Sequence, residues 1–130
     1  MIDKQLSFIV DKYKITKTDN ILYGSNNPKV KMVLPTPFGT HVKFNEIVYY
    51  FFYFDEEGII FYPINGNDSF SIKWNNIDSF KMKRGLLTNK MIIIIDGKSF
   101  KFNINRFVLK SFWIRNNIIY LESNNYFYHK

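Results

Sequence analysis

No cysteine occurs in this sequence, which excludes a disulfide framework, a thiolate nucleophile and any zinc site built on cysteine, and which fits a reducing compartment. Histidine is nearly as scarce: His41 falls in a stretch that reads as a loop, His129 lies next to the last residue, and neither stands at a metal-ligand spacing. There is no G-x-S-x-G, no phosphate-binding glycine loop and no dinucleotide fingerprint. The adjacent carboxylates Asp55, Glu56 and Glu57 sit beside Gly58, a grouping that belongs to a solvated turn more often than to an acid/base pair. Long hydrophobic runs are missing too. The longest, residues 47–54 and 91–95, fall far short of the roughly 20 residues a membrane-spanning helix requires. Residues 1–6 lack the apolar core of a signal peptide. These absences lead to the expectation of a cytoplasmic protein that does not span a membrane, holds no metal or cofactor and is not an enzyme.

What is present is apolar and aromatic. Of 130 residues, 46% are hydrophobic and 19% aromatic, with 14 Phe and 9 Tyr. That is ample material to offset chain entropy, in a length that suits one domain over residues 1–130. Aromatic and β-branched side chains favour the flat, half-buried surface of a sheet. Abundant Asn, Lys and Ile suggest an AT-rich, bacterial coding genome. The net charge of +7 is unevenly spread: residues 1–45 carry +4, residues 46–78 carry −5, residues 79–115 carry +8 and residues 116–130 are neutral. The third quarter is therefore where an anionic partner would be met.

Along the chain, Leu6, Ile9, Val10 and Tyr13 recur at helical spacing behind a capping Asp3, which predicts a short amphipathic helix within residues 1–17. Strands are expected through residues 20–104. Ile21, Leu22 and Tyr23 read as a brief extended segment before turn residues 24–28. Val30, Met32 and Leu34 alternate with Lys29, Lys31 and Val33 up to Pro35, which suggests a strand. Residues 47–54 and 59–64 flank the Asp55–Gly58 turn as a hairpin. Phe70, Ile72 and Trp74, then Phe80 and Met82 after Asn75-Asn76, keep a period of two. Residues 91–95 and 99–104 are joined by Asp96-Gly97, the pair favoured in a type I′ turn. That register puts Ile93 opposite Phe100, Met91 opposite Phe102 and Ile92 opposite Lys101. Val108, Phe112, Ile114, Ile118 and Leu121 predict a C-terminal helix within residues 107–123.

Residues 70–87, the apolar strand 91–95, the run Lys98-Ser-Phe-Lys-Phe-Asn-Ile and the final helix around Phe112-Trp113 together resemble the bacterial pleckstrin-homology-like domains, over roughly residues 47–121. The resemblance lies in strand rhythm and hydrophobic positions. It implies an α+β, mainly β fold: an antiparallel, hairpin-rich barrel or sandwich of about six or seven strands, closed by a C-terminal helix and preceded by a short N-terminal one. It also implies a non-catalytic binding module, because such domains bind phosphoinositides in some cases and proteins or peptides in many others.

Two groups of residues are candidates for contact. Lys81, Lys83, Arg84, Lys90, Lys98 and Lys101 form a basic set, of which Lys81, Lys83 and Lys101 project away from a core made of Phe80, Met82, Phe100 and Phe102. Such a strip either binds a polyanion or keeps a strand face soluble and guarded against edge pairing. The run of residues 49–54 sends three rings to each face of a strand. Tyr49, Phe51 and Tyr53, with Tyr62 nearby, are then either a sticky surface for a partner or the bed of the N-terminal helix. The leading expectation is protein–protein contact, with a homo-oligomer among the options. The alternatives are peripheral binding to an anionic lipid surface and, further off, nucleic acid, for which the lysines and aromatics are too segregated along the chain.

Overall fold

A computed structural model describes residues 2–26, 33–35, 41–43 and 47–129. Among these residues, helix α1 (Ile2–Tyr13) precedes nine strands: β1 (Ile21–Asn26), β2 (Val33–Pro35), β3 (His41–Lys43), β4 (Tyr49–Phe54), β5 (Gly58–Pro63), β6 (Phe70–Lys73), β7 (Ser79–Lys83), β8 (Thr88–Ile95) and β9 (Lys98–Asn105). Helix α2 (Trp113–Ser123) follows. Seven of the strands form one antiparallel sheet in the order β6-β5-β4-β1-β9-β8-β7, and β2 pairs with β3 in a separate small hairpin. The alternation of Val30 and Met32 lies outside the described residues.

The hairpins follow their turn chemistry. The Asp55 carboxylate accepts the backbone N–H groups of Glu57 and Gly58 at 2.9 and 3.0 Å, so this member of the acidic cluster closes the β4–β5 turn. Asp96 and Gly97 both adopt positive φ, 51° and 77°, as a type I′ turn demands. The β8–β9 register pairs Ile93 with Phe100, Met91 with Phe102 and Ile92 with Lys101, as the spacing predicts. β6 and β7 are the two edges of the sheet, yet only residues 74–78 separate them in the chain. The sheet therefore curls with its apolar face inward, but no β6–β7 ladder closes it into a barrel.

The inward face gathers Tyr50, Phe52 and Phe54 of β4, Phe61 of β5, Phe80 of β7 and Phe102 of β9, with Ile114, Ile118 and Leu121 of α2 packed over them. Rings meet mostly edge-on: Phe52 lies 5.2 Å from Phe61 at 77° and 5.7 Å from Phe102 at 72°, the arrangement preferred by aromatic quadrupoles. On the outward side, α1 seats Ile9 against Ile21, Phe51 and Tyr62, with Tyr13 4.7 Å from Tyr62. Both faces of the aromatic strand β4 are thus covered, one by each helix.

Several sequence expectations are corrected. Gly24, Ser25 and Asn26 do not turn the chain but continue β1, where Gly24 faces Tyr50 on one side and Ile104 on the other. A Cβ at Gly24 would stand 2.0 Å from the Asn103 carbonyl oxygen, so glycine is there for close approach. His41 opens strand β3 and not a loop. α1 lies within the expected residues 1–17, but Asp3 sits inside its first turn and does not precede it as a cap. The Asp3 carboxylate instead accepts the Ser111 hydroxyl at 2.7 Å and the Trp113 indole N–H at 2.9 Å, and these donors hold it below the ordinary carboxylate range, the indole most strongly. α2 begins at Trp113, not within residues 107–112, because Lys110 takes a left-handed φ of 67° and Ser111 is tied to Asp3. Beyond α2, Asn125, Tyr126 and Phe127 all have positive φ. This left-handed turn buries Tyr126 against Phe54 and Phe80 and sets Tyr128 5.1 Å from Trp74.

Two tests follow from the packing. Gly24→Ala is expected to lower unfolding free energy by about 2 kcal/mol, read from the urea midpoint, since backbone must move to admit the methyl group; unchanged stability would mean that β1 and β9 have room to spare. Burial pushes the phenols of Tyr50, Tyr62 and Tyr126 up to about 12. The unfolded chain loses these protons near the ordinary value of 10, so stability held below pH 10 should fall as pH rises toward 12. Denaturant midpoints across that range, followed with tyrosinate absorbance, check it: late-titrating phenols should ionise together with unfolding.

Candidate functional site

The register of β7, β8 and β9 sorts the basic residues. Lys81, Ile92 and Lys101 form one cross-strand row, and Lys83, Lys90 and Asn103 the next. All four lysines are exposed on the outward face. None forms an ion pair with a described residue, and Lys83 stands directly opposite Lys90, a like-charge pairing that costs stability unless an anion relieves it. Arg84 and Lys98 do not join them. Lys98 opens β9 opposite Ile95, on the same side of the strand as Phe100 and Phe102. Arg84 follows β7 close enough to Tyr126 for its charge to oppose the rise of that phenol's pKa.

The aromatic candidates divide differently. Phe51 and Tyr62 are buried beneath α1 and have no surface to offer a partner, which removes half of the proposed sticky face. Tyr53 is half-buried. Tyr49 alone of the four is exposed, at 43%, and it stacks on Tyr23 with ring centres 5.7 Å apart. Of the two arrangements the sequence left open for this face of β4, the structure shows the bed of the N-terminal helix.

A third surface was not singled out in the sequence. Two loops, residues 84–87 between β7 and β8 and residues 106–112 between β9 and α2, meet at one end of the sheet. The Arg106 backbone N–H donates to the Leu87 carbonyl at 3.2 Å. Buried Asn89 braces both loops, its Oδ1 accepting the Gly85 N–H at 3.2 Å and the Arg106 guanidinium at 2.9 Å. At Gly85 a Cβ would sit 2.0 Å from the Thr88 carbonyl oxygen, so the first loop is drawn tight. These constraints hold five large apolar side chains in water: Leu86 at 93% exposure, Leu87 at 78%, Leu109 at 73%, Phe112 at 72% and Phe107 at 60%. Val108, between two of them, packs inward on the core and anchors the second loop.

Cations predominate in the segments that carry this apolar tip, although the Asp3 carboxylate reaches the second loop at Ser111. Residues 81–90 and 106–115 contain Lys81, Lys83, Arg84, Lys90, Arg106, Lys110 and Arg115 and no Asp or Glu. A signal existed in the sequence, in the pair Leu86-Leu87 beside Arg84 and in the run of residues 107–112. The helical spacing of Val108 and Phe112 hid it, because a stripe on a helix is assigned to the core.

Elsewhere the polar groups serve packing. Asn20 donates to the Phe54 carbonyl at 2.7 Å, and the Trp74 indole donates to the Asp55 carbonyl at 2.8 Å. His129 is exposed, with Nδ1 3.1 Å from the Phe127 carbonyl oxygen. Among the described residues no group of three or more His, Asp or Glu is placed to hold a metal ion, and no helix is long and apolar enough to cross a membrane. Compared with known proteins, the chain matches no family model and no curated protein.

Proposed function

We propose that this chain is a non-catalytic, pleckstrin-homology-like binding module that acts through protein contacts, self-association among them. Seven antiparallel strands with a C-terminal helix packed on their apolar face support the fold part of this reading. The observation that carries the binding part is the tip formed by Leu86, Leu87, Phe107, Leu109 and Phe112, more than half exposed on two loops that Asn89 ties together. Large apolar side chains kept in water by a braced loop mark a surface that another molecule covers. A rigid loop binds with less ordering cost than a floppy one.

A second reading, peripheral binding to an anionic lipid surface, is favoured by one specific feature: the seven cations in the segments 81–90 and 106–115 that carry the tip, which contain no Asp or Glu of their own, including the opposed pair Lys83 and Lys90. Apolar side chains entering the headgroup region and cations meeting acidic lipids reinforce each other.

Light scattering at low and high salt, beside sedimentation with phosphatidylserine-containing vesicles and with short duplex DNA, separates these readings. Self-association through the tip predicts a mass above the 15.6 kDa chain that persists in salt and returns to that of one chain in a Leu86→Ser, Phe112→Ser variant. A monomer that pellets with acidic vesicles and is released by salt supports the lipid reading instead. Retention on DNA alone would overturn both.

A further inference from the structure

A concave surface, unlike the projecting basic tip, lies between the two helices. α1, the turn at residues 18–20 and the first turns of α2 enclose a cleft of about 550 Å³, within the size range of small-molecule sites. Its apolar lining comes from Leu6, Val10 and the Trp113 indole, and its charged lining from Asp11 and Asp19; its other lining residues are neutral and polar, and no Lys or Arg borders it. On a chain of net charge +7, this lining carries the opposite sign of charge.

The inner wall adds an acceptor. Asn117 is nine-tenths buried and lines the cleft. Its Nδ2 uses both protons, donating to the Thr18 and Ile21 carbonyls at 2.8 Å each, which fixes the orientation of the amide. Its Oδ1 accepts no hydrogen bond from a described residue. Trp113 cannot supply a donor either, because its indole N–H is committed to Asp3 at 2.9 Å; that bond also holds the ring in place. The charged and buried polar groups named here thus offer acceptors and a fixed aromatic ring.

We propose that this cleft binds a small amphipathic cation, an ammonium or amidinium group carried on a short apolar body. The charged end would be met by Asp11, Asp19 and the Asn117 Oδ1 and the apolar body by Leu6, Val10 and the Trp113 ring, with ammonium–indole attraction adding to the fit. An anion is disfavoured by the carboxylates, and a neutral apolar molecule gives the two carboxylates and the Asn117 Oδ1 no donor.

The probe is 2-phenylethylammonium, with neutral 2-phenylethanol as its isostere, titrated into the full chain while the Trp113 indole and Asn117 side-chain amide resonances are followed by NMR. The ammonium is expected to shift both saturably at millimolar concentration, and the alcohol to bind roughly tenfold more weakly or less. Asp11→Asn with Asp19→Asn should weaken the ammonium by a similar factor and leave the alcohol unchanged, and added salt should weaken only the ammonium. Both aspartates are exposed, so the double variant is expected to melt like the parent. Equal binding of both probes, full affinity in the double variant, or no saturable shift up to about 10 mM, where even a weak site fills, would overturn the proposal.

Discussion

The fold depends on one strand. β1 pairs with β4 on one side and β9 on the other, and among the described residues it is the one strand joining the β4-β5-β6 hairpins to the β7-β8-β9 hairpins. Each half alone would be a three-stranded meander with one wet face, at the lower limit of independent stability. Joined through β1, their apolar faces meet in one core where Phe52, Phe61 and Phe102 touch across the seam. The seam closes because Gly24 has no side chain at the point where β1 meets the Asn103 carbonyl. Asn117 reinforces it from above, binding the carbonyls of Thr18 and Ile21 at the entry to the strand.

That arrangement commits both helices. A strand such as β4, aromatic at every position, has no face that water tolerates, and a sheet of this size can curl around only one of them. α2 caps the inside of the curl and α1 covers the outside. The two are linked through Asp3, which joins the start of α1 to Ser111 and Trp113 at the start of α2. The cleft between them follows from that link: the helices are tied at one end, and Asp11 and Asp19 border the cleft lying between them.

Where the helices are absent, the surface takes on another character. The outward face of β7, β8 and β9 carries lysines in adjacent rows, and the loops at its end carry the exposed leucines and phenylalanines. Asn89 is the hinge between core and surface here. A buried amide that accepts from both loops trades burial of a polar group for rigidity of apolar residues left in water. Apolar exposure of this kind costs stability in the free chain, which is why it directs attention to a partner.

The sequence by itself determined what depends on neighbours in the chain. The Asp96-Gly97 turn and the alternation beside it determined the register of β8 and β9, down to Ile92 opposite Lys101. The spacing of Leu6, Ile9, Val10 and Tyr13 determined α1, and parity along β7 and β9 determined that Lys81, Lys83 and Lys101 face water. Turn chemistry and side-chain period act over a few residues and leave their mark locally. Only the tertiary structure decided whether Gly24 ended a strand or allowed two to meet, whether Phe51 and Tyr62 lay under a helix or on a surface, and whether Phe112 belonged to a core stripe or an exposed tip. Each of those outcomes rests on a contact between residues far apart in the chain: Gly24 with Asn103, Tyr62 with Tyr13, Asp3 with Ser111. No local pattern encodes such a contact, because the same residues satisfy either arrangement until the distant partner arrives.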